Sequence, residues 1–253
     1  LKRRGLAFSS AIHTRFPEYV HTRWPRIPLR WGYAYLRRFH RPSQAVLVST
    51  ERLREEFASH GLRHLRLWHK GVDTALFRAR PREAGEPVFL HVGRLAAEKN
   101  LRAFLELELP GRKRLVGDGP QRAELQRDYP QAQFLGYLSG EALAAQFAAA
   151  SVLVFPSRTD TLGLVMLEAL ACGTPVAAFP VAGPLDVLQA GVTGVMDEDL
   201  AQACRAALQL DRMTCAEQAA RQSWHASALE FLASQALLDG EPLAQEDWLP
   251  AQA

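Results

Sequence analysis

A strand, a polar turn, a helix and a second strand follow one another in one short stretch of the chain. The apolar, β-branched run Val152–Phe155 is typical of a buried strand, and Pro175–Phe179 is a second such run. The helix predicted between them begins near Leu164 and ends at Gly173. Two strands joined through a helix pair in parallel. The sequence therefore predicts an α/β fold with a parallel sheet.

Two acidic residues, Asp160 in the turn and Glu168 in the helix, lie eight positions apart. At 1.5 Å per residue that spacing is about 12 Å, too long for the two acids to share one proton or one metal ion. The N–H groups of Leu162-Gly163-Leu164, between them, favour an anion. This layout suits a nucleotide-sugar, with hydroxyls at both ends and phosphate in the middle. The simpler alternative is an N-cap aspartate and an exposed glutamate.

Asp160, Glu168 and the following Ala-Leu-Ala-Cys-Gly-Thr-Pro-Val (169–176) resemble the signature of retaining glycosyltransferases of the GT-B fold, the "group 1" family. The resemblance implies two Rossmann-like domains. It also implies that Asp160, where the family usually has Glu, contacts the donor sugar and that Glu168 holds the ribose hydroxyls. Thr159-Asp160-Thr161 is similar to the branch of mannosyl- and sulfoquinovosyl-transferases that build glycolipids.

A histidine follows the first predicted strand, Leu6–Ile12. Ligands of α/β proteins bind outside the carboxyl ends of strands, although a lone histidine is also common as a surface or core residue. The run from His13 to Tyr19 resembles the first-domain motif of the same family, which implies that His13 approaches the donor sugar and the reacting centre. Residues 69–77 resemble the segment that closes this domain, with Lys70 in place of the more usual Asn.

Two cations follow the predicted strand Val88–Val92, in the run Gly93–Asn100. The chain has only four lysines among its 30 basic residues, so Lys99 stands out. Arg94 and Lys99 could neutralise a departing diphosphate without a metal ion, or they could be solvated surface cations. This run and the turn Gly117–Pro120 also resemble family motifs. The resemblance implies that donor-binding atoms come from Gly93, Arg94, Lys99, Gly136, Tyr137, Leu138, Gly163, Leu164, Val165 and Glu168.

Four segments make up the predicted domain organisation. Residues 1–78 are a partial N-terminal domain, residues 79–215 the nucleotide-sugar domain, residues 216–238 a helix returning to the first domain, and residues 239–253 a tail. The first domain has only three predicted strands where a doubly wound half needs five or six. We expect it to be truncated, so that the chain as given binds donor but turns over slowly.

Charge is distributed unevenly along the chain. Residues 1–82 hold 18 basic and 5 acidic residues, a net charge of +13, and the remainder holds 12 basic and 22 acidic residues, a net charge of −10. The helix predicted over Leu29–Phe39 carries several arginines, so the basic part could meet an anionic membrane surface. Its stripe of Trp31, Tyr35 and Phe39 is predicted to be core. Nucleic acid is the other candidate, but no nucleic-acid motif is present.

The remaining features narrow the class of protein. No Gly-x-Gly-x-x-Gly follows a predicted strand, which argues against a dinucleotide cofactor, and no metal-ligand spacing is present. Three cysteines and no long apolar run favour a reduced, cytoplasmic protein, peripheral at most on the membrane. We expect a retaining hexosyltransferase that uses GDP-mannose or a UDP-sugar, without a further cofactor, on a lipid or glycan acceptor. The alternatives are a donor-binding subunit without turnover, and a sugar phosphorylase or epimerase.

Overall fold

The computed structural model describes residues 7–81, 85–160 and 163–235, which form two compact units. The first unit contains the chain up to Lys70 and the chain from His225 onward, and the second is Gly71–Trp224. Both are built on parallel sheets, as the sequence predicts. Several predicted features lie outside the described residues: the start of the first strand at Leu6, residues 82–84 near the predicted domain boundary, turn residues 161 and 162, and the tail.

A three-stranded parallel sheet forms the centre of the first unit, in the order β1 (Ser9–Ile12), β2 (Ala45–Val48), β3 (Leu65–Leu67). Every residue of β2 is buried, because helices cover this central strand. The helices of this part of the chain are α1 (Phe16–Arg23), α2 (Leu29–His40) and α3 (Glu51–Ser59). Thr50 caps α3 by accepting a hydrogen bond from the Leu53 N–H group at 3.2 Å.

The aromatic stripe of α2 is on the opposite face from the one predicted. Trp31, Tyr35 and Phe39 are 62%, 57% and 58% exposed, so the prediction that they form core is wrong. The buried positions of α2 are instead Tyr33, Leu36 and His40. These residues also recur at helical spacing, so α2 carries two stripes of apolar or aromatic residues. The stripe that contains Tyr33 and Leu36 is the one that packs into the core.

The second unit contains a six-stranded parallel sheet in the order β6-β5-β4-β7-β8-β9. Its strands are β4 (Val88–Val92), β5 (Arg112–Val116), β6 (Gln133–Phe134), β7 (Val152–Phe155), β8 (Val176–Ala178) and β9 (Gly194–Met196). The chain adds strands outward from β4 in one direction and then outward from β7 in the other. The strand order therefore reverses between β4 and β7, and ligands of such sheets bind beyond the carboxyl ends of the strands at this point.

Helices pack on both faces of this sheet. They are α4 (Leu101–Leu105), α5 (Arg122–Asp128), α6 (Gly140–Ala149), α7 (Leu164–Ala171), α8 (Ala182–Val187), α9 (Leu200–Ala207) and α10 (Arg212–Ala220), with a 3-10 turn at Ala97–Lys99. One core contains Leu90 and Leu153 and the other contains Phe89 and Val154. Alternate residues of the central strands thus enter opposite cores, which fixes β4 and β7 rigidly.

The helix predicted over residues 216–238 is interrupted. The chain forms α10, then an irregular turn, then α11 (Trp224–Ala233). In the turn, the Val72 N–H group donates to the Gln222 carbonyl at 2.9 Å and the Trp224 N–H group donates to the Val72 carbonyl at 3.0 Å. A continuous helix was therefore the wrong prediction, because these backbone groups bond to a distant segment. Among the described residues, no helix has the length and apolarity needed to cross a membrane.

Candidate functional site

Two glycine-containing loops meet at the carboxyl edge beside the point where strand order reverses. The Gly93 N–H group donates to the Val116 carbonyl at 3.0 Å, and the Leu95 N–H group donates to the Asp118 carbonyl at 2.8 Å. Gly117 has a φ of +134°, and a Cβ atom there would lie 1.9 Å from the Gly93 carbonyl oxygen. Only glycine fits this contact, so the loops after β4 and β5 are held backbone to backbone.

A third loop, after β6, joins the same edge. The Gly117 N–H group donates to the Gly136 carbonyl at 2.8 Å, and Gly136 has a φ of +75°. The next side chain, Tyr137, is 75% exposed, whereas Leu138 packs against the core. The backbone of this loop is therefore fixed in place while its aromatic side chain is free to contact a ligand.

The loop after β7 carries Asp160 and is tied to the 3-10 turn that carries Lys99. The Ser157 hydroxyl donates to the Glu98 carbonyl at 3.2 Å, and the Asn100 amide donates to the Pro156 carbonyl at 3.1 Å. The Lys99 ammonium then donates to both carboxylate oxygens of Asp160, at 2.7 and 2.8 Å. The two side chains are each 22% exposed. The structure thus places one cation and one anion together at the edge of the sheet.

Helix α7 begins next to this pair. Gly163 is the N-cap, with a φ of +72°, and the Phe155 ring lies 2.8 Å from the position that its Cβ would take. Leu164 and Val165 occupy the first helical positions, whose N–H groups have no carbonyl one turn earlier within the helix. Such groups, at the positive end of the helix dipole, favour an anion.

Glu168 lies one turn further along α7 and is partly buried. Burial raises the pKa of its carboxyl group above the ordinary value. Within the described part of the chain its carboxylate has no hydrogen-bond partner, so both oxygens are available to accept from ligand hydroxyls. Arg94, on the loop after β4, is exposed. The residues predicted to bind donor in the second unit, from Gly93 to Glu168, thus lie on loops, on the 3-10 turn that carries Lys99, or at α7.

His13 belongs to the first unit and follows β1 directly. Its ring makes an edge contact with Trp68 at 5.6 Å between centroids, and the Lys70 ammonium lies 3.6 Å from the centre of the same Trp68 ring. Burial, and then the charge of Lys70, lower the pKa of His13. The imidazole is therefore neutral at neutral pH, the form that can accept a proton.

One buried polar residue near the site, His91, was not predicted from the sequence. It lies in β4, is 1% exposed, and its Nδ1 is 3.2 Å from the Val154 carbonyl oxygen. Its Nε2 atom has no hydrogen-bond partner in the part of the chain that the structure describes, and it lies 3.3 Å from where a Cβ of Gly93 would be. The available signal was a histidine inside the apolar run Val88–Val92. The described residues contain no group of three His, Cys, Asp or Glu side chains arranged to hold a metal ion.

Comparisons with known proteins identify relatives of this chain. Residues 86–210 match the family model "Glycosyl transferases group 1", and residues 1–76 match the model "Glycosyltransferase Family 4". The sulfoquinovosyl transferase SQD2 of Arabidopsis thaliana is 33% identical, over 74% of this chain and 41% of that protein. A GDP-mannose-dependent alpha-mannosyltransferase of Mycobacterium tuberculosis is 32% identical, over 77% of this chain and 54% of that protein. The chain spans about half the length of these curated relatives.

Solved structures give the same fold. Sucrose-phosphate synthase from Thermosynechococcus elongatus has a TM-score of 0.70 and 26% identity, covering 88% of this chain and 65% of that one. Anabaena Alr3699/HepE in complex with UDP has a TM-score of 0.68 and 16% identity, covering 88% of this chain and 70% of that one. The predicted α/β GT-B fold is confirmed. The chain belongs to the group 1 family of glycosyltransferases.

Proposed function

We propose that the chain binds a nucleotide-activated sugar at the carboxyl edge of its second sheet and transfers the hexose to an acceptor with retention of configuration. The observation that carries this proposal is the Lys99–Asp160 pair, held between the glycine loops and the start of α7. A diphosphate needs cations and N–H donors, and a sugar needs a carboxylate acceptor. This one edge supplies all three.

Each predicted residue has a role in this proposal. Arg94, Lys99 and the Gly163, Leu164 and Val165 amides stabilise the diphosphate. Glu168 accepts hydrogen bonds from the ribose hydroxyls. The loop residues Gly136, Tyr137 and Leu138 lie beside the nucleobase. Asp160 and His13 orient the sugar.

The proposed reaction breaks one bond and forms one bond at the anomeric carbon. The bond from that carbon to the diphosphate oxygen breaks while the acceptor oxygen attacks from the same face. The acceptor proton passes to the departing diphosphate, so atoms and charge balance. Arg94 and Lys99 act most strongly on this step, because the negative charge on the diphosphate grows as the bond breaks.

The donor proposed is a GDP-sugar, such as GDP-mannose, or a UDP-sugar. The mycobacterial relative is named for GDP-mannose, and the structural neighbour HepE holds UDP. Thermal melts with UDP, GDP and ADP in EDTA test this choice. At about 100 times the dissociation constant, a ligand stabilises the folded state by about 2.7 kcal/mol, a shift of a few degrees. A shift with UDP or GDP supports the proposal, whereas no shift with any of them contradicts it.

The acceptor proposed is a lipid or glycolipid presented at an anionic membrane surface on the cytoplasmic side. Support comes from α2, which exposes Trp31, Tyr35 and Phe39 beside the exposed arginines Arg30, Arg37, Arg38 and Arg41. A relative from Mycobacterium tuberculosis is named as a phosphatidylinositol dimannoside mannosyltransferase. Aromatic rings enter the interface and arginines meet anionic headgroups, so the helix face suits peripheral attachment.

Two other functions fit the same binding edge. One is donor binding without turnover, and the other is a phosphorylase or epimerase reaction on the same fold. Product analysis with a lipid acceptor separates them: a glycosylated lipid indicates transfer, free sugar phosphate indicates phosphorolysis, a donor with an altered sugar configuration indicates epimerisation, and an unchanged donor indicates binding alone.

A further inference from the structure

His91 presents a buried nitrogen atom that the proposed roles leave unused. A carbonyl oxygen only accepts hydrogen bonds, so the 3.2 Å contact with the Val154 carbonyl requires the proton on Nδ1. Nε2 then carries a lone pair and can only accept. Among the described residues this atom has no hydrogen-bond partner, although His91 is only 1% exposed. A buried acceptor without a donor is unfavourable, so a donor is expected at this atom.

The charged groups that act on this imidazole are the two members of the ion pair at the edge of the sheet. Lys99 and Asp160 both act electrostatically on His91, the lysine lowering its pKa and the aspartate raising it. Gly93 lies next to Nε2, where a side chain would crowd the ring. Burial has the largest effect and lowers the pKa of His91 to about 4, so the ring is neutral at neutral pH. A neutral ring does not repel the ammonium.

The Lys99 ammonium has one more N–H bond than its contact with Asp160 uses. It carries three N–H bonds, and Asp160 accepts two hydrogen bonds, one at each carboxylate oxygen. No direct hydrogen bond joins Lys99 to His91 in the structure. A bridging water molecule would pair the third N–H bond with the lone pair on Nε2.

We propose that His91 is a positioning residue for Lys99, with neutral Nε2 accepting the third ammonium proton through one bridging water. If the proposed function holds, this contact keeps the ammonium in place when a phosphate oxygen of the donor takes over a hydrogen bond from Asp160. The histidine would then contribute to diphosphate affinity without touching the diphosphate.

A double-mutant cycle separates this role from a merely structural one. Affinity for UDP and GDP is measured by calorimetry for H91F and H91Q, each in the wild type and in the K99A background. We expect H91F to weaken nucleotide binding about 10-fold in the wild type and less than about 2-fold with K99A. H91Q, which retains an acceptor, should recover most of the affinity. Equal losses in both backgrounds, or equal losses for H91F and H91Q, would overturn the proposal.

A second measurement does not depend on nucleotide binding. Nitrogen-15 NMR of the imidazole should show the Nδ1–H tautomer for His91 at neutral pH, and the Nε2 signal should move in K99A. A proton on Nε2, or a signal that K99A leaves in place, contradicts the proposal. If the wild type binds neither nucleotide, the donor assignment fails, while the NMR result still decides whether His91 and Lys99 are connected.

Discussion

Lys99 and Asp160 neutralise each other in the structure, although the sequence predicts that each contacts a different part of the donor. Their contact at 2.7 and 2.8 Å explains how two charges are kept at a site with only 22% exposure. A bound diphosphate would offer Lys99 a second anion, and the sugar hydroxyls would offer Asp160 new donors. The pair is therefore a resting arrangement that suits the proposed roles of both residues.

Glu168 gives the proposed donor site a pH dependence of its own. Only the ionised carboxylate accepts hydrogen bonds from both ribose hydroxyls, and burial raises its pKa. We expect nucleotide affinity to fall as pH decreases, through a midpoint above the ordinary glutamate value of about 4.3. Glu168→Gln should bind more weakly at neutral pH and lack this step.

Because nucleoside diphosphates also titrate, the wild type and Glu168→Gln are compared by calorimetry at the same series of pH values. The melting temperature of the variant should change by only a few degrees. Equal affinity of the two proteins at neutral pH would show that Glu168 is a helix surface residue without a role in binding.

The buried imidazole of His91 should make the protein less stable in mild acid. Its pKa is about 4 in the folded chain and about 6.5 when unfolded, so between these values the unfolded state binds more protons. The free energy of unfolding should therefore decrease as pH falls from 6.5 to 4, by roughly 3 kcal/mol from this residue. Urea unfolding of the wild type and His91→Phe tests this. His13 and His40 titrate in both proteins, so a similar pH slope for the two would contradict the expectation.

At the scale of elements, the glycine contact between the loops after β4 and β5 should be essential. Gly117→Ala adds a Cβ 1.9 Å from the Gly93 carbonyl oxygen and also disfavours the φ of +134°. We expect a loss of more than about 2 kcal/mol in unfolding free energy, measured with urea. Gly191→Ala is the matched control, because it has a φ of +74° with open space around the new atom. It should lose only about 1 kcal/mol. Equal losses would mean that the loop contact has no energetic importance.

The exposed face of α2 should bind anionic membrane. Each arginine near the surface contributes roughly 1 kcal/mol, and the exposed Trp31, Tyr35 and Phe39 rings add interfacial contact. We expect sedimentation with anionic vesicles that decreases steeply with salt. Replacing Trp31 and Tyr35 by Ser should weaken sedimentation, whereas replacing the exposed Arg52 and Arg54 of α3 by Ser should have a smaller effect. Equal binding to neutral vesicles, or none to anionic ones, would contradict the membrane proposal.

The elements around Asp160 could be predicted closely from sequence. Val152–Phe155 is a strand, α7 begins at Leu164 as predicted, and β8 lies within the second apolar run. Local patterns suffice here because long apolar runs and Gly173 define where each element begins and ends. The prediction failed where contacts with residues distant in sequence determine which helix face is buried. In α2, Tyr33 is buried and Trp31 is exposed.

The same limit explains the missed residue and the interrupted helix. His91 is part of an apolar run, and only its pairing with β7 shows that one nitrogen is bonded and the other is not. The turn between α10 and α11 depends on Val72, which is far away in sequence. Helix α1 was not predicted because residues 13–19 were interpreted only as a family motif, although Pro17 is compatible with the first helical turn.

The whole chain combines a basic first part with an acidic second part, net charges of +13 and −10. The second unit holds every predicted donor-binding residue except His13, so nucleotide affinity can be tested on the chain as it is. The domain boundaries at residues 78 and 215 stay predictions, as do slow turnover and membrane attachment. Measuring nucleotide affinity and sugar transfer on one preparation separates binding from catalysis.

The most direct test of the proposed donor site is calorimetry of UDP and GDP in EDTA. It compares the wild type, Arg94→Ala, Lys99→Ala, the double variant, and Arg127→Ala as an exposed cation control on α5. We expect the wild type to bind one of the nucleotides without metal, and Arg94→Ala and Lys99→Ala to lose about 1.5–3 kcal/mol each, with no loss for the control. Unchanged affinity in the double variant, or a strict requirement for Mg²⁺, would contradict a metal-free diphosphate site at this edge.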